Sequence, residues 1–181
     1  MPILLGKVRE QLRKYRPGYS SNYPVLGVTN VTSALQPLNK NILYKGQARS
    51  ESGRSPYPVY VQIFDVITSP IKTEVFFIPN KLKSGKTVYS KSANMRANRV
   101  SMRCMCQDSR FNYEAQMAKA DSMIGNWRRY KRKTKPLVRP ANPVNPNPKG
   151  YDFKNPKNYY GYCKHLHSFF HYLNRRKLFL S

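Results

Sequence analysis

Apolar residues recur at helical spacing in three segments of the chain, which predicts three amphipathic helices. The segments are residues 2–15, 112–133 and 163–178. Their apolar stripes consist of Leu4, Val8, Leu12 and Tyr15; of Tyr113, Met117, Ala120, Ile124 and Trp127; and of Leu166, Phe169, Phe170 and Leu173. Basic residues cluster at the C-terminal ends of the second and third helices, where they complement the negative end of the helix dipole.

Between residues 41 and 104 the pattern changes to short runs of β-branched and aromatic residues separated by turn signals. The candidate strands are 41–48, 59–67, 74–78, 87–90 and 99–104. Such a series of short strands predicts an antiparallel meander. Together with the helices, it gives an α+β fold that consists of a small antiparallel sheet, helices and extended arms rich in proline.

The same pattern divides the chain into three parts. Residues 1–16 form an N-terminal amphipathic helix, residues 17–40 an extended arm, and residues 41–181 a single α+β domain. The arm lacks periodicity and is interrupted by three prolines. Within the domain, residues 136–156 hold six of the 14 prolines, so this insertion is predicted to be an extended spacer rather than a helix or central strand.

All three cysteines and one histidine form two pairs, each with a single intervening residue. Cys104 and Cys106 end the last predicted strand, where a period of two places them on one face. Cys163 and His165 begin the last helix, where one turn can direct both towards the same point. Three sulfurs and one imidazole nitrogen make a closed tetrahedral Zn²⁺ site of the structural kind. Alternatively, the cysteines are small buried hydrophobic residues without a metal.

This C-x-C…C-x-H pattern resembles the SWIM-type zinc finger over about residues 99–175. The resemblance implies a strand–strand–helix unit whose two pairs bind one zinc. In this chain 56 residues separate Cys106 from Cys163, more than is usual in SWIM fingers. Closing such a loop costs about 3.6 kcal/mol, whereas structural zinc contributes roughly 10–16 kcal/mol, so the long insertion does not exclude zinc. His167 and His171 are alternatives to His165 as the fourth ligand.

The net charge of +25, from 33 Lys and Arg against 8 Asp and Glu, indicates a polyanionic partner, either nucleic acid or an acidic protein surface. Both halves of the chain are basic, so the charge is not confined to a tail. No apolar run is long enough to span a membrane, and Lys7 interrupts any signal-peptide core. An odd number of cysteines favours a reducing compartment over a disulfide framework.

The most concentrated basic segment follows Trp127. Its candidate anion-binding residues are Arg128, Arg129, Lys131, Arg132 and Lys133. They can contact phosphates, and the interleaved Trp127 and Tyr130 can stack on bases. Equally, Trp127 belongs to the core and the basic run is a helix end that faces solvent or another protein.

No catalytic motif is present in the sequence. The eight carboxylates are scattered, and Gly85-Lys86-Thr87 lacks the upstream glycine of a P-loop. We therefore expect a non-enzymatic structural protein that is built into a large assembly with acidic partner surfaces. The layout resembles small virion proteins of tailed phages, such as neck, tail or baseplate components, which implies assembly in the host cytoplasm. The SWIM resemblance implies the alternative, an intracellular module that binds nucleic acid.

Overall fold

The computed structural model describes residues 2–15, 25–36, 40–50, 55–82, 84–94, 96–106, 109, 113–125 and 160–180. Its strands are β1 (Ile3–Leu4), β2 (Val28–Gln36), β3 (Asn41–Ala48), β4 (Tyr57–Ile63), β5 (Thr68–Ser69), β6 (Ile78–Lys81), β7 (Thr87–Ser90), β8 (Ala93–Asn94), β9 (Arg99–Cys104) and β10 (Phe179–Leu180). Its helices are α1 (Leu5–Tyr15), α2 (Glu114–Lys119) and α3 (Lys164–Arg175). Antiparallel sheets with a few helices confirm the predicted α+β class.

The main sheet has five strands in the order β1-β9-β4-β3-β2, and all its pairs are antiparallel. The predicted bounds of β3 and β9 are confirmed. β4 occupies 57–63 rather than 59–67, because the chain turns away at Asp65, whose φ is 59°. Alternate residues of β4 and β9 point into the core, so one face of the sheet is apolar.

Residues 28–36 correct the prediction of an extended arm over 17–40, because they form the edge strand β2. This strand pairs with β3 from Val28 opposite Ala48 to Gln36 opposite Asn41, with an irregularity between Thr29 and Thr32. Most of its side chains are exposed. The strand therefore lacks the alternating apolar pattern by which a half-buried strand is recognised in a sequence.

A smaller three-stranded sheet, β5-β7-β6, lies in the excursion between β4 and β9. The predicted strand at 87–90 is confirmed as β7. The apolar piece at 74–78 is corrected, since β6 begins at Ile78. Near the C-terminus, β10 pairs in parallel with β8 and forms a separate two-stranded sheet.

Helix α1 begins later than predicted, and its apolar stripe starts at Leu5 instead of Leu4. Leu5, Val8 and Leu12 are buried, whereas Leu4 is 37% exposed. The reason is that Ile3 and Leu4 are not helical but pair with β9 as the short edge strand β1. The core residues of α1 belong to the same apolar cluster as those of the sheet, so the helix packs on the domain.

The prediction of one helix over 112–133 is wrong, because α2 covers only Glu114–Lys119. A Schellman motif ends it: Asp121 N–H donates to Ala118 O, Ser122 N–H donates to Met117 O, and Asp121 has a φ of 51°. The following residues pair with β9 instead, since Met102 N–H donates to Ser122 O at 2.8 Å. Residues 126–133 and the proline-rich insertion at 136–156 lie outside the described residues.

Helix α3 confirms the predicted C-terminal helix in slightly shorter form, over Lys164–Arg175 rather than 163–178. The four residues of its predicted apolar face are all buried: Leu166, Phe169, Phe170 and Leu173. A second Schellman motif ends the helix, with Lys177 at a φ of 54° and Leu178 N–H donating to Leu173 O. The apolar face of α3 joins the single core cluster, and its first turn lies beside the end of β9.

Candidate metal centre

The first cysteine pair lies where β9 leaves the main sheet. Cys104 is the last residue of the strand and pairs with Val59 of β4. Met105 N–H then donates to Pro58 O at 3.2 Å, which keeps the chain close to the sheet for one more residue. Cys104 and Cys106 are fully or almost fully buried, whereas Met105 is 50% exposed. The alternation of the strand therefore continues past its end and turns both thiols inward, as predicted.

The second pair lies at the start of α3. Cys163 is the N-cap residue, with extended backbone at φ −78° and ψ 169°. His165 follows in the first turn and is 4% exposed. Both side chains are therefore near the positive end of the helix dipole, where negative charge on a sulfur is stabilised.

The two pairs converge on one point. One ligand atom from each of Cys104, Cys106, Cys163 and His165 lies within 4.8 Å of all the others. In a tetrahedral zinc site with Zn–S bonds near 2.3 Å, neighbouring sulfurs are ~3.8 Å apart. A contraction of about 1 Å at most would therefore bring the four atoms to coordination distances. Of the three candidate histidines, the group contains His165 and neither His167 nor His171.

The imidazole of His165 is buried without the partners that such a ring needs. Neither Nδ1 nor Nε2 has a hydrogen-bond partner among the described residues. The ring packs against Tyr57 of β4, with centroids 4.6 Å apart and an interplanar angle of 50°. An unsatisfied buried polar group costs about 1–3 kcal/mol, and a metal bound at one ring nitrogen would remove that cost for the nitrogen that binds it.

The thiols are arranged so that one of them ionises readily and the other two do not. Hydrogen bonds from Cys104 and then Cys163 hold the pKa of Cys106 far below its usual range. The same interaction raises the pKa of Cys104, and burial raises that of Cys163 first of all. Backbone amides help to stabilise negative charge on the sulfurs: Ser109 N–H donates to Cys106 Sγ at 3.3 Å, and Cys106 N–H donates to Cys104 Sγ at 3.5 Å. A bound cation would offset the repulsion among three thiolates here.

This donor set limits the chemistry. Thiolates and imidazole suit Zn²⁺ and similar thiophilic ions, whereas Mg²⁺ and Ca²⁺ prefer oxygen ligands. Four protein ligands fill a tetrahedral ion completely, so no position remains for a reacting water. The buried group can hold a metal ion, and the arrangement fits a structural ion better than a catalytic one.

The sequence did not identify Tyr57 or Ser109 as neighbours of the cluster. Tyr57 reaches His165 only through the register of β4, and Ser109 contributes its backbone amide, so neither has a signal in the cysteine spacing. The ring of Tyr162, the residue before Cys163, packs on Phe170 and His167 of α3, with centroids 5.3 Å and 6.4 Å away.

The basic run Arg128, Arg129, Lys131, Arg132 and Lys133 lies outside the described residues, so its predicted role in binding anions stays a prediction. Among the described residues, no helix is long and apolar enough to cross a membrane. No protein-family model, no curated protein and no solved structure matches this chain.

Proposed function

We propose that Cys104, Cys106, Cys163 and His165 bind one structural Zn²⁺, which fastens α3 to the end of β9. The proposal is supported above all by the meeting of four buried donors from two distant parts of the chain. The unpartnered nitrogens of His165 and the amides directed at two of the sulfurs support it further. Hydrogen bonds of this kind orient metal ligands and tune the bound ion.

A closed metal site gives the chain stability rather than catalysis. We propose a non-enzymatic structural protein that is built into a large assembly, such as the neck, tail or baseplate of a phage particle. The net charge of +25 supports a protein that is bound to polyanions rather than a free monomer. Repulsion among so many positive charges destabilises an isolated compact chain. The alternative, a SWIM-like module that binds nucleic acid, is supported by the same charge.

The test is the metal content and native mass of material purified from its natural source. One zinc per chain in a particle of very high mass agrees with an assembly protein. One zinc per chain in a small species that carries nucleic acid points to the binding module instead. Full-length protein that contains no metal and remains a stable monomer contradicts the proposal.

A further inference from the structure

A second group of polar side chains lies on the surface between α1 and α3, apart from the cysteine cluster. Arg9 and Arg13 are four residues apart on α1, outside its buried stripe, and His167 and His171 have the same spacing on α3. Residues four apart lie on one helix face, about 6 Å from each other along the axis. The two helices thus each present a pair of nitrogen-rich side chains at matching intervals.

Tyr162 connects the two pairs. Its side chain is 2% exposed, and its ring stacks on His167 with an interplanar angle of 17°. Burial raises the pKa of the Tyr162 phenol, and the nearby charges of Arg9 and Arg13 oppose that rise. Burial also lowers the pKa of His167, with smaller contributions from Arg9 and His171. His167 thus lies against Tyr162, His171 follows one turn later on α3, and Arg9 and Arg13 are near enough to Tyr162 to act on its phenol.

Little negative charge is available on these helices to neutralise that region. α3 contains no acidic residue, and the single acid of α1, Glu10, lies about 100° around the helix from Arg9 and three residues before Arg13. In addition, Nδ1 of His171 is buried and has no hydrogen-bond partner among the described residues. The surface therefore carries the fixed positive charge of Arg9 and Arg13 with only one carboxylate on these two helices to offset it.

We propose that Arg9, Arg13, His167 and His171 form a binding face for the phosphate groups of a nucleic-acid backbone. Guanidinium groups bind phosphate oxygens in pairs. Each neutral imidazole has one N–H donor, so no protonation of histidine is needed. Two donor pairs at intervals of about 6 Å suit a regular series of compact anions along a strand. This face uses none of the four proposed metal ligands and none of the basic residues at 128–133.

The test compares two double variants of the full-length, zinc-loaded chain, binding a fluorescein-labelled DNA duplex of 20 base pairs. Arg9→Gln with Arg13→Gln removes two charges from the proposed face. Lys7→Gln with Lys14→Gln is the matched control, since it removes two exposed charges from another side of the same helix. Glutamine is a good helix former, so α1 is retained in both. Binding is measured by fluorescence anisotropy at several salt concentrations.

Each lost phosphate contact reduces the slope of log K against log salt by about 0.9. We therefore expect the slope to fall by about 1.8 in the arginine variant and to change little in the lysine control. Equal falls in both variants would mean that only net charge matters, which overturns the proposal. The same variants are also titrated with poly-glutamate. If the arginine variant loses affinity for poly-glutamate but not for DNA, the proposal is overturned in favour of an acidic protein partner.

A variant with one substitution, Arg13→Gln, shows whether a change in binding comes from misfolding. Arg13 is exposed, so Arg13→Gln should leave the melting temperature and zinc content unchanged while the slope falls by about 0.9. An unchanged slope in this folded variant contradicts the assignment of Arg13. Because zinc content is recorded separately, failure of the phosphate face and failure of the metal site give different results.

Discussion

Cys163→Ser removes one proposed ligand while it changes the size of the side chain very little, so it tests whether the metal holds α3 in place. Burial of the four apolar residues of α3 contributes about 6–12 kcal/mol, at about 1.5–3 kcal/mol each. Ordering the backbone of its 12 residues costs about 12–24 kcal/mol, and closing the 56-residue loop costs about 4 kcal/mol more. At the middle of each range the shortfall is about 13 kcal/mol, which falls within the roughly 10–16 kcal/mol that structural zinc supplies.

The variant should therefore release α3 from the sheet. Hydrogen exchange should show loss of protection throughout Lys164–Arg175, while the central strands β3 and β4 remain protected. We expect the melting temperature to fall by about 10 °C or more, since about 1 kcal/mol corresponds to roughly 2–4 °C in a chain of this size. Met105→Ser is the matched control, because Met105 lies between two ligands but is half exposed. Unchanged protection and melting in Cys163→Ser would refute the idea that the metal holds α3.

Three further changes test details of the fold by thermal melting. Gly161→Ala should destabilise by about 1–3 kcal/mol, because its Cβ would collide with the ring of Tyr113. Gly27→Ala is the control, since its Cβ meets nothing within 4 Å; similar losses of stability in both variants would contradict the packing. Lys177→Gly should stabilise by up to about 1 kcal/mol, since it relieves a positive φ at the end of α3; a loss of stability would count against this helix end. Asp65→Asn should lower the melting temperature slightly at neutral pH, because Arg99 holds the pKa of Asp65 below its usual value. The stabilisation by the Asp65–Arg99 pair is present above about pH 4 and is lost as the pH falls through the lowered pKa. The melting temperatures of the variant and the native chain should therefore converge in acid. A difference in melting temperature that grows in acid would contradict this account.

The positions of the three cysteines and His165 were predictable because each pair has a local signal. Cys104 and Cys106 share one face because a strand has a period of two. Cys163 and His165 lie within one turn at the start of α3. The placement of the donors within each pair therefore does not depend on distant residues. Leu166, Phe169 and Leu173 were equally recognisable as the buried face of a helix. The convergence of the two pairs could be inferred only from the chemistry of the donors, since nothing in the sequence gives the path of the long insertion.

The errors occurred where tertiary pairing overrides local preference. The apolar spacing from Tyr113 to Ile124 fits a helix, but the backbone beyond Asp121 hydrogen-bonds to β9 instead of continuing it. Likewise, β2 carries few buried side chains, and its pairing with β3 supplies a reason for its extended shape that its own residues do not show. The spacing of Leu4 from Val8 fits a helix, so the sequence placed Leu4 on the helical stripe. Its actual pairing with Arg99 of β9 joins two distant parts of the chain and leaves no local signal.

The most direct test of the central claim is X-ray absorption spectroscopy of the purified full-length chain at the zinc edge, together with its zinc stoichiometry. We predict one zinc per chain with three sulfur neighbours near 2.3 Å and one nitrogen near 2.0 Å. His165→Ala should remove the nitrogen, whereas His167→Ala should leave the spectrum unchanged. Protein that contains no zinc, takes up none when it is supplied, and has three freely reactive thiols would contradict the account.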